Sequence, residues 1–140
     1  MGISTMTNKV AKPVIIDKDN KYLMMYRNNH PWFGNDADLP GGTHEEGETI
    51  EETVVREVFE EIGVRIDDFK KLHSDLEHSV HHTHKSLFVA RVDERPSITM
   101  SWEHISYEWV NREDFLQKSK NAKDNYMHLV YDVIKQNDFI

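Results

Sequence analysis

Short apolar runs separated by polar turns fill the first third of the chain. Residues 10–16 and 21–27 are apolar stretches on either side of residues 17–20, whose Asp and Asn side chains favour a turn. This pattern predicts a β-hairpin. Residues 28–38 contain proline, glycine and asparagine and predict a loop, and the LPGGT that follows (39–43) predicts a tight passage of the backbone.

An amphipathic helix is predicted over residues 50–62. Thr49 stands three positions before Glu52, the spacing at which a capping side chain and a returning carboxylate satisfy each other's backbone N–H groups. Gly63 follows the pattern as a left-handed C-terminal cap. At about 100° per residue, one side of this helix is apolar and is predicted to be buried. That side consists of Val54, Val55, Val58, Phe59 and Ile62.

The second half of the chain reads as strands followed by helix. Residues 71–80, 84–93 and 105–110 have the pattern of strands. Beyond residues 111–114 a short helical turn is predicted, and then a helix over about 123–136. Its apolar side is Met127, Val130, Tyr131 and Ile134. This order of elements predicts an α/β fold in which a mixed β-sheet is sandwiched between helices.

Length and composition narrow the class of protein. A chain of 140 residues fits one domain, predicted over residues 9–140 after a flexible tail of residues 1–8. The sequence shows neither a membrane-spanning run nor a secretory signal, so we expect a cytoplasmic protein without a membrane partner. It contains no cysteine, which excludes disulfides, zinc–thiolate sites and thiol nucleophiles. The net charge of −8 argues against polymeric nucleic acid as a partner but leaves a small phosphorylated ligand possible through bound cations.

Three glutamates crowd the C-terminal end of the predicted helix. Glu57, Glu60 and Glu61 fall on one arc of it, where acidic groups repel each other and oppose the helix dipole by roughly 0.3 to 1 kcal/mol each. A hard divalent cation such as Mg²⁺ or Mn²⁺ resolves this conflict, because both ions prefer oxygen ligands. The alternative is an acidic face that is simply solvated.

A second group of possible ligands lies between the two middle strands. His78, His81, His82 and His84 fall within seven residues and raise the possibility of a transition-metal site. No second ligand cluster at a defined spacing supports it, so we expect a hairpin turn here, with one or two of these histidines lining a substrate pocket.

The stretch around the glutamates carries a longer motif. It reads Gly42, five residues, Glu48, seven residues, Arg56-Glu57-Val58, one residue, Glu60-Glu61, one residue and Gly63-Val64. This resembles the complete signature of the Nudix (MutT-like) hydrolases, and the similarity covers residues 9 to 137. The resemblance implies the Nudix fold and a pyrophosphohydrolase that uses Mg²⁺ or Mn²⁺ to cleave a nucleoside diphosphate linked to another moiety.

The resemblance also implies roles for individual residues. Glu60 and Glu61 would be the principal metal ligands, Glu57 a further ligand or the base that activates water, and the Gly41 carbonyl another ligand. Arg56 would pair with Glu48 and hold the loop against the helix, an arrangement suited to a guanidinium fork. Gly41 and Gly42 would let the backbone approach the metals and the substrate. Arg27 would contact a substrate phosphate, or else be a charge at the rim of the site. Glu103 would be an extra metal ligand or base, with Glu108 as the alternative to Glu103.

The substrate is predicted mainly by elimination. Ser79 stands where the ADP-ribose branch commonly has proline, and His81 where the dinucleoside polyphosphate branch has tyrosine. The position of Glu103 resembles that in the branch acting on oxidised nucleoside triphosphates, such as 8-oxo-dGTP. We therefore expect a nucleoside triphosphate to be cleaved to the monophosphate and pyrophosphate. The alternatives are a nucleotide sugar or ADP-ribose as substrate, or a noncatalytic nucleotide sensor.

The remaining expectations concern recognition of the base and assembly into a dimer. Candidates for contacting the base are Trp32, Phe33, His82 and Asn125, because base recognition needs an aromatic face and a few hydrogen-bonding groups. A homodimer is possible, since a second subunit contributes to the pocket in some relatives.

Overall fold

The computed structural model describes residues 8–76 and 83–138. The elements of this part are β1 (Asn8–Ile16), β2 (Tyr22–Arg27), β3 (Ala37–Asp38), β4 (Gly42–Thr43), α1 (Ile50–Ile62), β5 (Asp68–Leu76), β6 (Thr83–Arg91), β7 (His104–Val110), α2 (Arg112–Asn121) and α3 (Asn125–Lys135). The strands form a single mixed sheet with the order β3-β2-β1-β6-β5, in which β4 pairs with β1 and β7 pairs with β2.

The sheet is buried on both faces. On one face, the apolar side chains of α2 and α3 pack over Val14, Met24 and Leu87. On the other face, α1 packs over Ile15 and Phe88. The predicted sandwich of a mixed sheet between helices is therefore confirmed.

β1 lies in the middle of this arrangement. It is antiparallel to β2, as the hairpin prediction required, and parallel to β6 over its whole length, with Asn8 opposite Thr83 and Ile16 opposite Arg91. The hairpin turn is closed by Asp17, whose carboxylate accepts the backbone N–H groups of residues 19 and 21. The predicted strands downstream are present as β5, β6 and β7.

α1 has the predicted ends, and its buried side differs in part from the prediction. The side chain of Thr49 and that of Glu52 form the reciprocal capping box, and Gly63 closes the helix with φ of 72°. The prediction that Phe59 is buried is wrong, because this side chain is 48% exposed. It lies past the edge of the buried stripe, where the guanidinium of Arg65 stacks on its ring at 4.9 Å. Val54, Val58 and Ile62 are fully buried, Val55 is half-buried, and the charged Glu61 joins the buried side.

The C-terminal region contains two helices. The predicted short turn is wrong, since α2 is a helix of ten residues. Its N-cap is Asn111, but only Phe115 and Ser119 are buried, so an apolar stripe that would predict a helix is missing. α3 begins after its N-cap Asp124, and Tyr126 rather than Tyr131 completes its buried side.

Two other predictions, of an N-terminal tail and of no membrane-spanning segment, can be compared only with the described residues. β1 begins at Asn8, while residues 1–7 of the predicted tail lie outside the described part. Within residues 8–76 and 83–138, no helix combines the length and the apolar character that crossing a membrane requires.

Candidate active site

Two glycines bring the loop before α1 against that helix. Gly41 has φ of 134°, a conformation that residues with a side chain rarely adopt. A Cβ on Gly41 would overlap the backbone of Ala11, and a Cβ on Gly42 would overlap the carboxylate of Glu57. The N–H of Gly41 donates to Oε2 of Glu61 at 3.0 Å. The glycine pair therefore places backbone atoms directly beside two of the glutamates of α1.

Arg56 joins the loop to the helix. Its Nε and Nη2 atoms donate to the two carboxylate oxygens of Glu48 at 3.0 and 2.7 Å, so the expected pairing is present. Nη2 also donates to the carbonyl of Thr43 at 3.0 Å. Nη1 donates to Glu57 and, at 3.0 Å, to Glu60. The hydrogen bonds from Arg56 hold the pKa of Glu48 at about 2, well below its ordinary value.

The three clustered glutamates differ in their exposure. The side chain of Glu60 is 55% exposed, that of Glu57 19% and that of Glu61 7%. Burial raises the pKa of Glu57, against the influence of Arg56 and with that of the neighbouring Glu60. The cluster thus runs from a solvated carboxylate to a buried one over a single helical turn.

Glu61 lies at the end of a buried chain of charged and polar groups. Lys12 Nζ donates to Oδ1 of Asp38 at 2.7 Å, and Nε2 of His104 lies 2.8 Å from Oδ2 of the same carboxylate. The other ring nitrogen, Nδ1, faces Oε1 of Glu61 at 3.3 Å. Nδ1 of His104 and Oε1 of Glu61 do not form a hydrogen bond with each other, and neither forms one with any other atom of the described residues. Oε1 of Glu61 is therefore a buried carboxylate oxygen without a donor.

The pKa values of Asp38 and Glu61, the two carboxylates in this chain of contacts, are shifted in opposite directions. Burial would raise the pKa of Asp38, but the charge of Lys12 and the hydrogen bond from His104 outweigh it and hold that pKa below its ordinary range. Burial raises the pKa of Glu61 to about 8; Lys12 opposes the rise, and the carboxylates of Glu103 and Asp38 add to it. Asp38 is thus a fixed anion, whereas Glu61 favours a proton or a cation beside it.

A cleft of about 310 Å³ opens beside this chain. It is bordered by Arg27, by residues 28–31, by Asp38 and by Trp102, Glu103 and His104. The loop holding Glu103 is attached to the end of β2 through its carbonyl, which accepts the backbone N–H of Asn28 at 2.9 Å. Glu103 and His104 both line the cleft, and His104 in turn faces the buried Glu61.

The loop, helix and glutamates described above lie within a segment that matches a known family model. The match is to the NUDIX domain and covers residues 7–130. The chain belongs to the NUDIX domain family. The resemblance identified from the signature is therefore confirmed, and the fold is the Nudix fold.

Individual Nudix relatives agree with this assignment. The chain is 56% identical over 55 residues to the ADP-ribose pyrophosphatase of Methanocaldococcus jannaschii, a match that covers 39% of this chain and only 32% of that protein. It is 30% identical over 112 residues to the 8-oxo-dGTP diphosphatase of Escherichia coli, covering 76% of this chain and 86% of that protein. The solved structure of the MutT protein from Methanosarcina mazei superposes with a TM-score of 0.73 at 21% identity, covering 96% of this chain and 97% of the other.

The residues of this Nudix domain fit a divalent cation. Glu61 has a buried oxygen without a donor, Gly42 leaves no side chain between the backbone and Glu57, and carboxylate and carbonyl oxygens are the donors that Mg²⁺ and Mn²⁺ prefer. Among the described residues, no three Asp, Glu or His side chains converge as a ready-made metal shell. The guanidinium of Arg56 instead binds both Glu57 and Glu60. These carboxylates would have to turn from Arg56 to bind a cation.

Arg27 is placed differently from a rim charge. Its side chain is 15% exposed, and its Nη2 atom contacts the carboxylates of Asp38 and Asp124 at 3.3 and 2.7 Å. Its Nε atom is buried without a hydrogen-bond partner among the described residues. Arg27 borders the cleft beside Glu103, so the predicted contact to substrate stays a prediction with a suitable location.

The remaining candidates are spread over the molecule. Glu108, the alternative to Glu103, accepts a hydrogen bond from the hydroxyl of Tyr26 at 2.6 Å, and this contact is exposed on the surface. Trp32 is 79% exposed, and the ring of Phe33 stacks on that of His30. Of the histidine group, His84 lies in β6 and contacts the hydroxyl of Ser74 at 2.8 Å. The zinc alternative and the hairpin turn fall largely outside the described residues, because they include residues 78, 81 and 82.

The sequence analysis missed three residues of the buried chain. Lys12, Asp38 and His104 come from three different strands, so their spacing along the chain carries no signal. One local hint was present for Lys12, because a lysine interrupts the apolar run of β1 at a position that the sheet buries.

Proposed function

We propose that this Nudix protein hydrolyses a nucleoside triphosphate to the nucleoside monophosphate and pyrophosphate, with Mg²⁺ or Mn²⁺ held at the end of α1. The observation that supports this substrate class is the position of Glu103, which borders the cleft beside the buried Glu61. The 8-oxo-dGTP diphosphatase named among the relatives, which aligns over most of its own length, agrees with this choice. An oxidised triphosphate such as 8-oxo-dGTP is within the proposed class.

The chain's own residues would position the reacting groups. Gly41 offers its carbonyl, and Glu57, Glu60 and Glu61 offer carboxylates that would hold the cations, with Glu103 as a further ligand or base. The cations would supply charge neutralisation of the phosphates and a bound water of lowered pKa. Arg56 would keep the loop and helix in register through Glu48 while the carboxylates change partners.

The reaction requires no covalent intermediate with the protein. The oxygen of water forms a new bond to the inner phosphorus, and the bond from that phosphorus to the bridging oxygen breaks, so pyrophosphate leaves with the bridging oxygen. The proton of the attacking water passes to a carboxylate, for which Glu57 and Glu103 are the candidates. Glu57 is suited to this role because burial raises its pKa and makes it a better proton acceptor.

The test is product analysis with Mg²⁺ and a substrate panel. The panel contains canonical and 8-oxo nucleoside triphosphates, ADP-ribose, nucleotide sugars and diadenosine polyphosphates. Glu60→Gln and Glu61→Gln should reduce turnover by at least about a hundredfold, as expected when a charge that stabilises the transition state is removed. Glu51→Gln is the matched control. Glu51 lies in the first turn of the same helix, and its carboxylate makes a long, exposed ion pair of 3.8 Å with Lys71.

The products decide among the candidates. Monophosphate and pyrophosphate from a triphosphate support the proposal, whereas release of orthophosphate contradicts attack at the inner phosphorus. Turnover of ADP-ribose would favour the second candidate, which the local identity to the ADP-ribose pyrophosphatase supports. Tight nucleotide binding without turnover of any substrate would instead indicate a sensor.

A further inference from the structure

Glu103 lies on a stretch of chain without helix or strand. β6 ends at Arg91 and β7 begins at His104, and residues 92–103 between them form no regular element. We call residues 99–103 the Glu103 segment. Because no repeating main-chain pattern fixes this segment, the position of Glu103 depends on individual hydrogen bonds to the neighbouring elements.

One side of the Glu103 segment is tied to the carboxyl end of α1. The N–H group of Thr99 donates to the main-chain carbonyl of Ile62 at 3.0 Å. The N–H group of Ser101 donates to the main-chain carbonyl of Glu61 at 2.9 Å. Carbonyls in the last turn of a helix have no partner within the helix, so these two bonds satisfy them. The helix end that carries Glu61 therefore supports the segment directly.

The other side of the Glu103 segment is held by Asn28, the first residue after β2. The main-chain N–H of Asn28 donates to the carbonyl of Glu103 at 2.9 Å, and its side-chain Nδ2 donates to the carbonyl of Trp102 at 3.0 Å. These two carbonyls belong to the peptide groups on either side of the Cα of Glu103. Because peptide groups are planar, their orientation sets the direction of the Cα–Cβ bond between them. Asn28 thus determines where the side chain of Glu103 leaves the backbone.

A bulge in the neighbouring strand makes these contacts possible. The register of β2 against β7 shifts beyond Tyr26, where Ile105 becomes an extra residue of β7. Without the shift, continued pairing would bring Asn28 opposite His104. With it, Asn28 comes opposite Glu103 instead. Bulges re-aim side chains in this way and are frequent beside active sites.

The side-chain amide is the part of this contact that depends on the residue type. Any residue except proline supplies a main-chain N–H at position 28. The bond to Trp102 requires in addition a side chain that carries a donor, which the amide of Asn28 provides. Asn28 and Glu103 line the same cleft, so the contact lies at the site itself.

We propose that Asn28 is a positioning residue for Glu103. Its main-chain N–H and its side-chain amide hold the Glu103 segment against the end of β2, while α1 holds the segment from the other side. The carboxylate of Glu103 is thereby kept at a fixed place in the cleft relative to the glutamates of α1. This inference rests on the proposed function, in which Glu103 is a further metal ligand or base.

The first readout is hydrogen exchange of the metal-free protein, followed at single amides by NMR. Asn28→Ala should speed exchange of the N–H groups of residue 28 and of Ser101 about fivefold, as expected when one hydrogen bond to the segment is lost. Asn137→Ala is the matched control, because the side-chain amide of Asn137 also donates to a main-chain carbonyl, that of Val133. The control should leave these two rates unchanged. Unchanged rates in Asn28→Ala would overturn the proposal without reference to turnover.

The second readout separates kcat from KM for a nucleoside triphosphate and the Mg²⁺-loaded enzyme. Asn28→Ala should lower kcat about five- to tenfold and leave KM nearly unchanged, because Glu103 serves the reacting water and the cations rather than binding of the nucleotide. Asn137→Ala should change neither constant. A change in KM alone would contradict the proposal.

A double-variant cycle with Glu103→Gln tests whether Asn28 acts through Glu103. If it does, adding Asn28→Ala to the Glu103→Gln protein should cause no further loss of kcat. A further loss as large as that in the parent protein would show that Asn28 acts by another route and would overturn the proposal. If Glu103→Gln itself left kcat unchanged, the role of Glu103 in the proposed function would be wrong, and positioning by Asn28 would fall with it.

Discussion

Replacing Arg56 by lysine keeps the positive charge and removes the planar fork that joins the loop to α1. Nε and Nη2 together bind both oxygens of Glu48, and Nη2 also binds the carbonyl of Thr43. An ammonium donates from a single point and cannot hold both oxygens and the carbonyl in this geometry. We therefore expect the variant to keep an ion pair with one carboxylate and to lose the remaining contacts.

The magnitude follows from these contacts and their exposure. A hydrogen bond to a charged group contributes about 1.5 to 3 kcal/mol, and a neutral one about 1 kcal/mol. The Arg56 side chain is 23% exposed, so water replaces part of what is lost. We expect Arg56→Lys to lower the free energy of unfolding by about 1 to 3 kcal/mol. Urea unfolding followed by circular dichroism measures this difference.

The control and the pH dependence sharpen this test. Arg65→Lys is matched, because Arg65 stacks on the exposed ring of Phe59, and it should cost less than about 0.5 kcal/mol. The hydrogen bonds from Arg56 lower the pKa of Glu48 from 4.5 to about 2, so their contribution is complete above pH 4.5 and is lost as the pH falls through about 2. An Arg56→Lys effect no larger than that of Arg65→Lys, or one that grows as the pH falls from 4.5, would refute the reasoning.

Three further predictions concern the neighbouring groups. Burial raises the pKa of Glu61 from 4.5 to about 8, so the free energy of unfolding of the metal-free protein should fall as the pH rises across this interval, by at most about 1.4 kcal/mol per pH unit. In urea unfolding, this fall should disappear in Glu61→Gln and on addition of Mg²⁺. Asp38→Asn leaves the buried Lys12 without its carboxylate, while Arg27 keeps its contact to Asp124, and should cost about 3 to 5 kcal/mol in the same assay, so a loss under about 1 kcal/mol would contradict the buried network. Gly41→Ala should destabilise the fold by more than about 1 kcal/mol, because the φ of Gly41 is positive and a Cβ there would meet the backbone. Gly42→Ala should leave thermal unfolding nearly unchanged and weaken Mn²⁺ binding, because its Cβ would displace the flexible side chain of Glu57.

The parts of the fold that the sequence predicts are those with local signals. The ends of α1 follow from Thr49, Glu52 and Gly63, which act on backbone groups within one helical turn of themselves. α2 lacks such a signal in its apolar positions, because Phe115 and Ser119 are its only buried residues, and the sequence indicated no more than a turn there.

The parts of the site that the sequence could not predict depend on contacts between distant segments. The pairing of Arg56 with Glu48 was expected from the signature, since both residues lie in one loop and helix. The chain from Lys12 through Asp38 to His104 requires β1, β3 and β7 all to pair with β2, which no spacing in the sequence encodes. The same holds for the exposure of Phe59, because the width of the buried stripe depends on which strands lie beneath the helix.

The parallel pairing of β1 with β6 has a consequence for the order in which the protein folds. The pairing joins segments at opposite ends of a long stretch of chain, Asn8 with Thr83 and Ile16 with Arg91, so its loop-closure entropy must be overcome before any contact between them forms. α1 carries its own capping signals and can form early, but β4, which positions Gly41, is held in place by β1. In stopped-flow refolding we therefore expect helical circular dichroism to recover before Mn²⁺ is captured, so that metal capture marks the arrival of the native state.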